Sequence, residues 1–245
     1  MKNLKFKQTP SKFSKGIPLL WNGNSFANIN KFIFSFLKFD KRISSNQSCF
    51  LFESARSAIY NSLAANDIGK GDEVIISSFT CDAVTSAVVR SGATVVYVDI
   101  NNDLSMNCGD LIDAISPSTK AVIMQNTFGR VGIDIETLEI IRKKDILIIE
   151  DCALAIGSKV NDVDFGLFGD ISIWSLETSK TFTIGWGGVV KVNNKDCLKK
   201  ISDRYETLGA VSFFQDFRRF FQLWFSLLMM KIKISGGAVI RSEEH

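Results

Sequence analysis

The sequence predicts an α/β fold, a mostly parallel sheet sandwiched by helices in three layers, on three observations. Between Ser54 and Asn193, segments of helical period alternate with short apolar, β-branched runs, the pattern of a parallel sheet covered by helices. Gly71-Asp72 and Gly92 stand just before two of those runs, where the chain has to turn. A chain of 245 residues, 46% hydrophobic and 22% charged, can bury one sizeable core.

The elements can be placed in order. Helical spacing marks 56–65, 82–90, 108–115 and 135–143, and apolar runs mark strands at 73–77, 94–98, 121–125, 146–149, 171–175 and 189–192. Residues 1–50, rich in Phe, Lys, Asn and Ser, read as an N-terminal arm with one or two short helices. From 196 to 245 the pattern is helical, with Phe213, Phe217, Phe220 and Trp224 at three-to-four spacing. That face is expected to pack against other helices, with membrane or partner contact as the alternative.

Composition narrows the function classes. The net charge of +3 owes most of its excess to Lys2, Lys5, Lys7, Lys12 and Lys15, a solvated leader and not a basic face for nucleic acid. Five cysteines without a CxxC pair suggest neither a disulfide framework nor a zinc site, which fits a reducing, cytoplasmic setting. The apolar run 220–230 is too short for a membrane span, which needs about 20 residues. The single histidine is His245, so Ser-His, Cys-His and most His-metal chemistries have no supplier. Neither GxGxxG nor GxxxxGK[ST] follows any expected strand, which leaves other phosphate cofactors for the sheet.

The informative residues lie in 148–158, 175–180 and 183–188. Asp151 stands at the carboxyl end of an apolar strand, where ligands of open α/β sheets bind, and can pair there with a protonated ring nitrogen. The ordinary alternative for such an Asp is a helix N-cap. Lys180, flanked by small and hydroxyl residues, suits an amine that must lose its proton to act as a nucleophile; the ordinary alternative is a surface charge. Gly185, Gly187 and Gly188 would let the backbone turn tightly and approach a cofactor.

Five blocks occur in a fixed order: 54–59 (SARSAI), 71–80 (GDEVIISSFT), 150–157 (EDCALAIG), 175–180 (SLETSK) and 183–188 (TIGWGG). In them the chain resembles, over about residues 50–195, the DegT/DnrJ/StrS family of fold-type-I nucleotide-sugar aminotransferases, which depend on pyridoxal 5'-phosphate (PLP). The resemblance implies a PLP-binding large domain over 51–195, with 196–245 leading into a small C-terminal domain. It implies that Lys180 forms the Schiff base with the cofactor and moves the substrate proton, and that Asp151 keeps the pyridine nitrogen protonated. It further implies that Ala55 and Arg56, opening a helix, offer backbone N–H groups to the phosphate, and that Ser175 adds a hydroxyl. For Ser175 the alternative is a strand-end serine bonded to backbone.

Departures from the family pattern are expected to reshape the pocket. Leu154 stands where Gln or His is common, Cys81 where an aromatic often stacks on the ring, and Asn126 where His is frequent. Ser77 replaces a usual Pro and Trp186 a common Glu. The activity implied is transfer of an amino group, from glutamate as donor, to a keto nucleotide-sugar for surface polysaccharide, including O-antigen, synthesis by a homodimer. The competing expectation is a truncated, catalytically silent module that binds PLP or a partner.

Overall fold

In strand β2 (Glu73–Ser77), Val74 and Ile76 face one side of the sheet and Ile75 the other, and all three are fully buried. A strand with no wet face needs cover on both sides, so the alternation itself calls for a three-layer sandwich. Strands β4 (Thr119–Gln125) and β5 (Leu147–Asp151) repeat the division, with Ile123 and Ile149 in one core and Val122, Met124 and Ile148 in the other. The computed structural model describes residues 48–177, 179–180, 182–183, 186–208 and 221. Most of the expected arm and the aromatic stretch 213–230 therefore lie outside the described residues.

One core is closed by α1 (Ala55–Ala65), α2 (Asp82–Ser91) and α5 (Lys195–Thr207), through residues such as Ile59, Leu63, Val88 and Ile201. The other is closed by α3 (Cys108–Asp113) and α4 (Ile135–Lys143), through Leu111, Leu138 and Ile141. Local chemistry sets the helix ends. The Ser54 hydroxyl accepts the Ser57 N–H at 3.1 Å and Asp134 accepts the Thr137 N–H at 2.7 Å, both as N-caps. Helix α2 stops at Gly92, whose φ of 91° is the left-handed cap that glycine adopts without strain. Helix α3 ends at Asp113, two residues earlier than the sequence spacing suggests.

The main sheet has seven strands in the order β1 (Cys49–Phe52), β9 (Gly188–Val192), β8 (Ile171–Ser175), β5, β4, β2, β3 (Thr94–Val98). The pairs β3–β2, β2–β4, β4–β5 and β5–β8 are parallel, and only β9 runs against the rest. Strand β1 was not anticipated: the end of the expected arm is a sheet strand. Nor was the small hairpin of β6 (Lys159–Val160) and β7 (Val163–Asp164), whose turn residues Asn161 and Asp162 take φ of 48° and 62°. The chain divides into two compact units, Met1–Tyr205 and Glu206–His245.

With six strands running one way, their carboxyl ends share one edge, and β9 begins there. Ile123, 1% exposed, sits beneath this edge. Ile123→Ala is expected to cost about 2–5 kcal/mol in urea unfolding, whereas Ile135→Ala at an exposed helix start should stay within about 0.5 kcal/mol.

Candidate active site

Asp151 is the last residue of β5 and is buried. Its Oδ1 accepts the Ala153 N–H at 2.9 Å and its carbonyl accepts the Asn126 N–H at 2.9 Å. Its other carboxylate oxygen takes no hydrogen bond from a described residue. Burial pushes the Asp151 carboxyl above its ordinary value, and the Ala153 bond and the positive charge of Lys180 pull it back part of the way. The fold thus brings Asp151 and Lys180 within electrostatic reach of each other. Lys180 is half-buried in the β8–β9 connection, where its backbone N–H donates to the Glu177 carbonyl at 3.0 Å.

A second group of residues meets where β8, β9 and α1 converge. Ser175 ends β8 and pairs with Gly188, the first residue of β9. A Cβ at Gly188 would lie 2.5 Å from the Ala55 nitrogen, so only glycine lets β9 start against the opening of α1. Gly188 therefore lies close against this helix start. Ala55 and Arg56 stand in the first turn, whose N–H groups have no helical acceptor. Ser175 is buried, and its hydroxyl makes no hydrogen bond to any described residue.

The remaining expected residues fall around these two groups. Leu154 is half-buried in the turn after Asp151 and brings no polar atom. Cys81 is exposed and caps α2 without a side-chain bond. Asn126 is 1% exposed and its amide is committed to the protein: Nδ2 donates to Glu150 Oε1 at 2.8 Å, and Oδ1 accepts the Gly132 N–H at 3.1 Å. Asn126 Nδ2 also lies 3.7 Å from Cys152 Sγ. The sequence reading passed over Gln125, which joins the β2 and β4 loops by donating to the Phe79 carbonyl at 3.1 Å and accepting from the Thr80 hydroxyl at 2.5 Å. Its position at a strand end beside a hydroxyl-rich loop was the available signal. Beside it, Phe128 holds φ of 51° with its ring 61% exposed, an unusual backbone state for a bulky residue.

A cavity of about 430 Å³ lies elsewhere, at the amino-terminal edge of the parallel strands, among Asp72, Lys120, Arg142 and Asp170. Asp170 there accepts from the Ile148 N–H and Asn194, and Asp72 from the Gly69 N–H, so these carboxylates serve the chain's own turns.

At the carboxyl edge, a buried carboxylate with one oxygen unbonded among the described residues, a lysine within its electrostatic reach, and a helix start next to a buried serine suit an aromatic phosphate ester that carries a basic ring nitrogen and a carbonyl. Residues 27–235 match the model of the DegT/DnrJ/EryC1/StrS aminotransferase family. The chain belongs to this family. A GDP-perosamine synthase of Escherichia coli O157:H7 is 37% identical over 139 residues, 56% of this chain and 38% of that protein. A UDP-N-acetyl-3-dehydro-alpha-D-glucosamine 3-aminotransferase of Acidithiobacillus ferrooxidans is 36% identical over 150 residues, 60% of this chain and 41% of that protein. The chain thus spans about two fifths of the length of these relatives. A DegT/DnrJ/EryC1/StrS aminotransferase structure from Brucella abortus has a TM-score of 0.63 at 26% identity, covering 74% of this chain and 49% of that one. A sugar-aminotransferase-type protein of Streptococcus pneumoniae, solved in a PLP form, has a TM-score of 0.62 at 27% identity, covering 70% of this chain and 49% of that one.

Two outcomes follow from the site's geometry. Burial raises the Asp151 carboxyl in the fold, so its ionisation destabilises the folded chain increasingly as pH rises from the unfolded value of 3.8 through the folded one. Asp151→Asn, measured by urea unfolding without cofactor, should therefore be more stable than the parent at neutral pH, and the gain should vanish below pH 3.8. Gly188→Ala should cost about 1–3 kcal/mol in the same assay, because the added methyl meets backbone and not a yielding side chain.

Proposed function

We propose that this chain binds PLP at the carboxyl edge of its sheet and serves an aminotransferase that acts on a keto nucleotide-sugar in surface polysaccharide synthesis. The observation that carries the reading is that Asp151, buried at the end of β5, lies within the field of Lys180 from the β8–β9 connection, on the sheet edge where Ser175, Gly188 and the α1 start meet. When bound, PLP supplies an electron sink for bond changes at the carbon bearing nitrogen. Asp151 offers its free oxygen to the ring nitrogen and holds the proton there. Lys180, in a half-buried loop of small residues, gives up its proton to act as the nucleophilic amine and later carries a proton at the substrate carbon. The first-turn N–H groups of α1, with the Ser175 hydroxyl, hold the phosphate.

Glutamate as amino donor and a homodimer as the working assembly belong to the same proposal. The five free thiols support a reducing, cytoplasmic setting, and no described helix is long and apolar enough to cross a membrane.

The experiment is an absorbance titration with PLP, followed by borohydride reduction, on the parent chain and Lys180→Ala. The parent should gain a visible band that reduction fixes covalently to Lys180, the variant should gain none, and glutamate should convert the band toward the pyridoxamine spectrum. A band without a glutamate response would favour a silent cofactor-binding module. No band in the parent would contradict the cofactor itself.

A further inference from the structure

Glu150 and Asp151 are neighbours on β5, so the pleat sends their side chains to opposite faces. Glu150 is 0% exposed and meets only donors. Its Oε1 accepts the Gly166 N–H at 2.7 Å, Asn126 Nδ2 at 2.8 Å and the Cys152 thiol at 3.5 Å. Its Oε2 accepts the Phe168 N–H at 2.9 Å, the Gly169 N–H at 3.0 Å and the Ser172 hydroxyl at 3.4 Å. Ser172 donates its one hydrogen chiefly to the Gly166 carbonyl at 3.0 Å, and the remaining neighbours leave Glu150 acting here as an acceptor.

These bonds form a clamp around Asp151. Asn126 is tied to the Glu150 carboxylate by its side chain and to the Asp151 carbonyl by its backbone N–H. On the other side, the Cys152 N–H donates to Ile173 of β8 at 2.8 Å, and Glu150 pins the 166–169 loop that leads into β8. The strand end carrying Asp151 is thus fixed to both neighbouring strands. We propose that Glu150 is a positioning residue for the active site: its buried carboxylate sets where Asp151 presents its free oxygen. The role rests on the PLP reading above for its catalytic meaning, but the clamp can be tested without cofactor.

Glu150→Gln keeps the size of the side chain but turns an NH₂ toward one of the two donor sets. The hydroxyl and thiol can rotate to accept, whereas the backbone N–H groups cannot. Adding Asn126→Asp restores the pairing with donor and acceptor exchanged, leaving only the Gly166 N–H facing the amide. Both variants and the parent would be compared by circular dichroism, by hydrogen exchange at Phe168, Gly169 and Ala153, and by PLP titration. The Ala153 amide reports directly on Asp151, whose Oδ1 it meets.

In a folded Glu150→Gln chain, exchange at these amides should rise and PLP should bind about tenfold more weakly, the loss of one well-aligned charged hydrogen bond. The double variant should recover most of both. Unchanged Ala153 exchange in folded Glu150→Gln would overturn the proposal, as would an equal loss of PLP affinity in the double variant with its exchange restored. If the parent itself took up no PLP, the cofactor reading would fall, and the Ala153 exchange would still decide whether Glu150 fixes Asp151.

Discussion

A carboxylate buried at the end of a strand is costly unless a cation or a set of donors answers it. At Asp151 the answer among the described residues is partial: one bond from Ala153 and the field of Lys180. The rest of the architecture can be understood as what allows this. Six strands deliver their carboxyl ends to one edge, two apolar cores hold the strands rigid, and the reversed β9 returns the chain from the Lys180 loop to the start of α1. Adjacent to Asp151, Glu150 accepts from several neutral donors, whereas Asp151 accepts only from Ala153 among the described residues. The proposed roles of the two acids differ with the face of β5 that each side chain takes.

Much of this was legible in the sequence because the signals were local. Strands 73–77, 94–98 and 171–175 appear with the bounds the apolar runs suggest, and helix 135–143 likewise. What was not legible depended on distant partners. Strand β1 exists through its pairing with β9, and no period in Cys49–Phe52 announces it. Strand β5 runs on through Glu150 and Asp151, beyond the apolar run, because donors from 166–169 make a buried glutamate tolerable. Each hairpin strand at 159–164 has two residues, too few for any alternation to register.

The site divides in the same way. Asp151 and Lys180 could be singled out from the order of the sequence blocks. That Ser175 and Ala55 meet was implied only by the resemblance, and the part of Gly188 in it was not legible, since it joins three segments through a backbone contact only glycine permits. Asn126 stands where the family pattern has a ring-side His, and its amide bonds Glu150 and Gly132. Leu154 carries no polar side-chain atom, and Cys81 lies exposed at the start of α2.

The central claim is that the α1 start and Ser175 form a phosphate seat on the same edge as Asp151 and Lys180. The phosphorus-31 resonance of PLP, titrated into the chain across pH, tests it directly. A free phosphate monoester titrates with a pKa near about 6. A seated one, held as the dianion by helix N–H groups and a hydroxyl, should give a separate resonance whose position stays constant between about pH 5 and 8. A single resonance that follows the free cofactor's titration throughout would contradict the account.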